Sequence, residues 1–230
     1  MFEGKSILAI ITARGTSKGV PRKNMRSVGG KPLIAWTIEE AQESKYIDRL
    51  ILSSEDAEII ETARSFKCEV PFARPVELAG DKVPATDVVI HILKTLPEHY
   101  DYVVLLQPTS PMRLAEDIGG CIKLCIEARS PACVSVTEAD KPPHWMYEIR
   151  KDKTMSPILP IKNLPSQRQD LPTTYILNGA VYVAKTDWLL EKKTFMTEET
   201  IAYQMPREHS LDIDTEMDIQ ICEMLLRMKQ

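Results

Sequence analysis

Two clusters in this 230-residue chain have residue types and spacings suited to phosphate chemistry. The first is Ala13-Arg14-Gly15-Thr16-Ser17-Lys18-Gly19-Val20-Pro21-Arg22-Lys23-Asn24. From Gly4 to Ile38 there is no acidic residue, but there are seven basic ones: Lys5, Arg14, Lys18, Arg22, Lys23, Arg26 and Lys31. The chain as a whole carries 29 Lys+Arg against 33 Asp+Glu, a net charge of −4. Gly15 and Gly19 allow backbone N–H groups to come close to an anion, and the cations neutralise phosphate oxygens. No Walker-type G-x-x-x-x-G-K-[ST] is present. The competing reading is a solvated basic loop with structural glycines. The second cluster is Asp212-Ile213-Asp214, followed by Thr215-Glu216-Met217-Asp218. In an extended segment the two carboxylates share a side, which suits Mg²⁺, an ion that keeps waters and shares oxygens with phosphates. Acidic residues just before a helix also act as caps, and Asp214 stands where an N-cap would be.

Two further stretches carry polar groups. Leu105-Leu106-Gln107-Pro108-Thr109-Ser110-Pro111-Met112-Arg113 is a strand end followed by a turn stiffened by two prolines. Gln167-Arg168-Gln169-Asp170 offers an arginine able to clamp a carboxylate, with Asn178-Gly179 at the next strand. Taken alone, the first reads equally as a strand-to-helix turn and Arg168 as a surface residue. His91, His99, His144 and His209 lack zinc spacing, and Ser17 and Ser110 lack the G-x-S-x-G context of a hydrolase.

The elements that must position these residues follow an alternating pattern. Strands are expected at Ser6–Thr12, Arg49–Ser53, Cys68–Phe72, Tyr102–Gln107, Ala132–Thr137 and Ile176–Ala184. Helices are expected at Pro32–Ser44, Asp56–Phe66, Thr86–Leu96, Leu114–Ala128 and Thr215–Met228. This order predicts an α/β protein with a mainly parallel sheet covered on both faces, and ligands at the carboxyl ends of its strands. The rhythm breaks between Lys141 and Thr174. Six of the sixteen prolines lie from Pro142 to Pro172, and Trp145–Arg150 reads as a possible strand. We expect one domain, 1–230, with 141–174 as an excursion: either a long surface connection or an arm that packs on a second subunit.

The totals exclude several classes. The acidic balance provides no global field for nucleic acid, and no apolar run approaches the roughly 18 residues needed to span a membrane. Ile7 to Ile11 is too short for a signal peptide. Five scattered cysteines, with no C-x-x-C, read as buried reduced thiols and a cytoplasmic location.

Taken in order, "ARGTSKGVPRKN", "RPVELAGD", "LLQPTSPMR", "QRQDLP", "NGAVY" and "LDIDTEMD" resemble the acylneuraminate cytidylyltransferases, or CMP-sialic acid synthetases. The resemblance covers nearly the whole chain. It implies a three-layer, Rossmann-like nucleotide-diphospho-sugar transferase fold, a homodimer, and Mg²⁺-dependent coupling of CTP to a nine-carbon acidic α-keto sugar with release of pyrophosphate. By the same comparison Arg14, Lys18, Lys23 and Asn24 contact the nucleotide in the loop shaped by Gly15 and Gly19, and Arg14, Lys23 and Asp214 act on the reacting phosphates. Gln107, Arg168, Asn178 and Tyr182 fall on the sugar side, and Asp212 and Asp214 match metal ligands. The Pro-rich stretch matches a dimerisation arm. The resemblance leaves open N-acetylneuraminic, legionaminic and pseudaminic acids. Two other readings of the same residues are a glycosyltransferase using the Asp pair, and a nucleotide or sugar sensor without turnover.

Overall fold

The computed structural model describes residues 1–160 and 171–228. Six strands form the central sheet: β1 (Ile7–Thr12), β4 (Arg49–Ser53), β5 (Tyr102–Leu106), β6 (Ala132–Glu138), β9 (Tyr175–Lys185) and β10 (Ile201–Gln204). Their spatial order is β10-β6-β9-β5-β1-β4. β1 pairs in parallel with β4 and β5, and β6 pairs in parallel with β10. β9 runs antiparallel to both β5 and β6. The continuous apolar run of β1 is explained by burial on both faces, which is usual for a strand covered by helices on each side.

On one face lie α1 (Leu33–Glu43), α2 (Ala57–Ser65) and α4 (Ala115–Glu127), whose Ile34, Ile38, Ile59, Ile118 and Ile122 meet Ile7, Ala9 and Ile11. On the other, α3 (Ala85–Thr95) and α5 (Thr186–Lys192) bring Val88, Val89, Ile92 and Leu189 against Leu8, Ile10, Val103 and Leu105. These are the three layers expected from the β-α alternation. The last helix, α6 (Glu216–Met228), packs Ile219 and Cys222 with Val20, Val28, Leu33, Met112 and Ile213 in a smaller third cluster. That cluster ties the chain's end to its first loop.

Three differences from the sequence reading have local causes. Cys68–Phe72 makes only one parallel bridge, Ile51 to Glu69, because Pro71 removes a ladder donor. Pro32 pairs in a two-residue strand, β3 (Lys31–Pro32), opposite β2 (Ser27–Val28), and α1 starts after it. Gly29 and Gly30, with φ of +59° and +88°, make the tight turn between them. α5 and β10 were not anticipated; both are short, and β10 is an edge strand whose pairing comes from β6.

The excursion leaves the carboxyl end of β6 and returns at that same end of the sheet, Glu138 opposite Tyr175, so β9 runs antiparallel. Its described part contains a small hairpin, β7 (Tyr147–Ile149) with β8 (Met155–Pro157), paired outside the main sheet. All five cysteines are buried, and burial pushes the Cys121 thiol well up.

Candidate active site

The carboxyl ends of β1 and β5 border a cavity of about 370 Å³. Arg14, Lys18, Gly19, Lys23, Asn24, Gln107 and Asp214, all anticipated from sequence, line it. Each of the seven early cations is paired with an acid from elsewhere. Lys5 meets Asp101, Arg22 meets Asp56 and Glu58, Arg26 meets Glu216, and Lys31 meets Glu39. The +7 segment is therefore largely compensated, and only Arg14, Lys18 and Lys23 border the cavity. Arg14 Nη1 and Lys18 Nζ lie 2.7 and 3.3 Å from the two oxygens of Asp81. The Lys23 ammonium donates to the Ile213 carbonyl at 2.6 Å and to Asp214 Oδ1 at 2.9 Å. Lys23 thus joins the two candidate clusters across 190 residues of sequence.

The glycines differ from the expectation. The Gly15 N–H donates to Glu55 Oε1 at 2.7 Å, and a Cβ there would lie 2.5 Å from Asp56 Oδ2. Gly15 lets β1's loop pass Asp56, so its N–H is not open to a phosphate and it does not line the cavity. In this arrangement Gly15 serves the path of the loop rather than the wall of the cavity. A Cβ on Gly19 would come within 2.1 Å of the Asp214 carbonyl, so Gly19 lets the basic loop cross the acidic segment. Asn24 is buried, and its Nδ2 donates to the Arg14 carbonyl at 2.9 Å, fixing the loop from inside.

The cap reading of Asp214 is also corrected. Thr215 Oγ1 accepts from the Asp218 N–H at 3.3 Å, while Asp218 Oδ2 accepts from the Thr215 N–H at 2.7 Å and the Asp214 N–H at 3.0 Å. Thr215 and Asp218 form the reciprocal cap. The Asp214 carboxylate is left to face the cavity, 74% exposed. The Ile213 N–H donates to the Thr109 carbonyl at 2.8 Å, which fixes this segment to the turn after β5.

Asp212 faces a second cavity of about 600 Å³, lined also by Asn178, Arg207 and the start of β9. Burial pushes the Asp212 carboxyl above the ordinary carboxylate range; the Asp214 charge adds to this, while Thr109 and Lys23 oppose it. Asp212 Oδ1 is buried without a hydrogen-bond partner among the described residues. A buried, unpartnered carboxylate oxygen beside a second carboxylate fits a divalent cation. Among the described residues no group of three His, Cys, Asp or Glu forms a closed metal cage. Two carboxylates with open positions suit Mg²⁺ better than a structural metal.

The sugar-side residues separate. Gln107 lines the first cavity, its amide 3.6 Å from the place a Cβ on Gly179 would take. Asn178 is saturated: Oδ1 accepts from Ser135 Oγ at 2.6 Å and the Ala180 N–H at 3.2 Å, and Nδ2 donates to Ser210 Oγ at 3.0 Å and Met205 Sδ at 3.3 Å. It holds β9 to β6 and to the segment before Asp212, with no donor left over. Tyr182 packs its ring on Phe195 at 5.7 Å and lines neither cavity; burial and the Asp212 charge raise its pKa. Arg168 lies outside the described residues.

Two arginines that sequence reasoning left unassigned are central. Arg113 is fully buried; Nη1 donates to the carbonyls of Gln107 at 3.1 Å and Ala180 at 2.8 Å, and Nη2 to Thr37 Oγ1 at 2.7 Å. Burial brings its pKa down to about 10, against the pull of Glu40 and Asp117. Arg74 lines the first cavity, and its guanidinium bonds Ser53 and the Ala13 carbonyl beneath the basic loop. Both stand in stretches already singled out, "LLQPTSPMR" and "RPVELAGD".

A family profile described as "Cytidylyltransferase" matches residues 8–225. The chain is 32% identical to a pseudaminic acid cytidylyltransferase of Campylobacter jejuni, covering 96% of each chain. It is also 32% identical to a CMP-N,N'-diacetyllegionaminic acid synthase of Legionella pneumophila, covering 97% of each. An N-acylneuraminate cytidylyltransferase of Escherichia coli is 34% identical over 94% of this chain and 51% of its own length. In fold, the chain is similar to a CMP:2-keto-3-deoxy-manno-octonic acid synthetase solved with CTP, at 13% identity, a TM-score of 0.72, and 98% and 100% coverage.

Proposed function

This chain belongs to the cytidylyltransferase family, and we propose that it couples CTP to a nine-carbon acidic α-keto sugar, forming the CMP-sugar and pyrophosphate. The observation that carries this reading is the meeting of two cavities at one acidic pair, with Asp214 lining the cationic one and Asp212 the other. Curated relatives named for pseudaminic, N,N'-diacetyllegionaminic and N-acylneuraminic acids support the sugar class.

In this reading the CTP triphosphate lies among Arg14, Lys18 and Lys23, and displaces the Asp81 carboxylate that Arg14 and Lys18 otherwise hold. The sugar's anomeric oxygen forms a bond to the α-phosphorus, and the bond from that phosphorus to the bridging oxygen of pyrophosphate breaks. Lys23 and Arg14 stabilise charge growing on the α-phosphate and the leaving group, an electrostatic and positioning task. The hydroxyl proton passes to a carboxylate of the Asp212–Asp214 pair. Asp212 and Asp214 would hold Mg²⁺, which when bound orients phosphate oxygens and lowers the pKa of the attacking hydroxyl. Arg168, by the family resemblance, holds the sugar carboxylate. By the same resemblance Gln107 and Asn178 stand on the sugar side, while Tyr182 supports β9 from beneath through its packing on Phe195.

A homodimer through the 141–174 arm belongs to the same proposal. Trp145 and Met146, just before the hairpin, and Tyr147, Ile149 and Met155 on it are exposed, and the hairpin is too small to bury its own apolar side chains. Five buried cysteines, with no C-x-x-C among them, support a reducing, cytoplasmic setting. The test is pyrophosphate release from CTP and Mg²⁺ with a panel of acidic sugars. Sugar-dependent release is expected. Turnover only with a nucleotide sugar would instead indicate a glycosyltransferase, and binding without turnover a sensor.

A further inference from the structure

The first cavity holds its cations in two ways, and on the footing of the proposed cytidylyl transfer the difference bears on how pyrophosphate leaves. Lys23 is anchored: only 13% exposed, it keeps the Ile213 carbonyl whatever becomes of Asp214. Arg14 and Lys18 have no such anchor. Among the described residues their side chains meet only Asp81, one on each carboxylate oxygen, at 2.7 and 3.3 Å. A carboxylate spanning two cations in this way occupies them as two oxygens of a phosphate would. Asp81 itself has no further partner among the described residues. It stands on a short turn before α3, closed by the Val83 N–H on the Gly80 carbonyl at 3.0 Å, and lines the same cavity.

The cations also need an anion in front of them. Burial lowers the Arg74 pKa and the Arg14 charge lowers it further, against the pull of Glu55. Without an anion, Arg14 would face that like charge uncompensated. We propose that Asp81 is a tethered counter-ion: it yields Arg14 and Lys18 to the β- and γ-phosphates of CTP and takes them back as pyrophosphate departs. No covalent bond changes in the exchange. A carboxylate on a short tether competes at an effective concentration on the order of millimolar, so it returns without waiting for a free anion. The same competition weakens the hold on every polyphosphate ligand, and it does not touch a ligand that has no phosphate.

The test measures Kd by calorimetry for pyrophosphate, CTP and cytidine, each with Mg²⁺, on the wild type and on Asp81→Asn. Asparagine keeps the shape of the side chain and removes the competing charge. Pyrophosphate and CTP should bind about 3- to 30-fold more tightly, the range that two partly exposed ion pairs allow, and cytidine should be unchanged. Pyrophosphate should become a stronger product inhibitor by the same factor. Asp81→Ala should reproduce the gain, and Asp81→Glu, which keeps the charge, should bind as the wild type does. Unchanged or weaker pyrophosphate binding in Asp81→Asn and Asp81→Ala overturns the proposal and makes Asp81 a support for the two cations. Equal tightening of cytidine overturns it too, as does the same gain in Asp81→Glu; cytidylyl transfer stands in all three cases. A wild type that binds CTP and pyrophosphate no more tightly than cytidine overturns the transfer reading as well.

Discussion

The two cavities that meet at Asp212 and Asp214 are built in opposite ways. The first is bounded by strand ends and held by ion pairs, with Lys23 closing onto Asp214 and Arg14 and Lys18 onto Asp81. The second brings apolar side chains from an arm, a strand end and the last helix beside charged ones, Glu138, Lys141 and Arg207. Cations held by carboxylates are already oriented for a triphosphate, so little reorganisation is needed when the anion replaces the acid. The contrast suggests a nucleotide side set by the core of the fold and a sugar side set by its appendages.

The contrast can be broken most severely at the acidic pair. Asp214→Asn should lower kcat on the order of 100- to 1,000-fold, read as pyrophosphate release, since it removes charge where it is needed in the transition state. Near-wild-type release would remove Asp214 from the site. Lys23→Ala should cost on the order of 100-fold in kcat/KM, because it deletes a cation and also unties the basic loop from Ile213 and Asp214. Unchanged kinetics in a folded variant would show that the link between the clusters is structural only.

Arg113→Met tests what lies beneath both cavities. It strands the Gln107 and Ala180 carbonyls, and about 2–4 kcal/mol of stability should be lost, measurable by urea unfolding. Loss under 0.5 kcal/mol would mean that those carbonyls find other partners.

Asp212 provides the smallest effect on stability and the sharpest sign. Its folded pKa is raised, so the apo protein binds this proton more tightly than the unfolded chain does. The stability contribution is present at low pH and is lost as pH rises through the folded value. Asp212→Asn should therefore stabilise the apo protein at neutral pH by ~1 kcal/mol, or about 2–4 °C in Tm, while abolishing turnover. A Tm decrease in Asp212→Asn would contradict the account of its burial.

Much of the fold was legible because periodicity reports burial directly. β4 was anticipated to the residue, and α2 fell inside its expected range with Asp56 capping it through the Ile59 N–H. The Asp-x-Asp motif was legible, but its neighbour's role was not. Whether Asp214 or Thr215 caps α6 depends on the Asp218 side chain turning back, a choice made by rotamers rather than spacing. Asn178 was placed on the sugar side by the family resemblance, which carries no information about its hydrogen bonds. Its four partners come from β6, β9 and the segment before Asp212, which no local window contains.

By itself, the sequence determined the α/β alternation, the loop with its glycines and cations, the acidic pair and, through six ordered motifs, the family. Residue type and local period suffice for these. Only the tertiary structure decided the direction of β9, the compensation of the seven cations, the packing role of Gly15, and the placing of the two carboxylates on different cavities. Each of these depends on contacts between residues far apart in the chain, and such contacts leave no spacing to read.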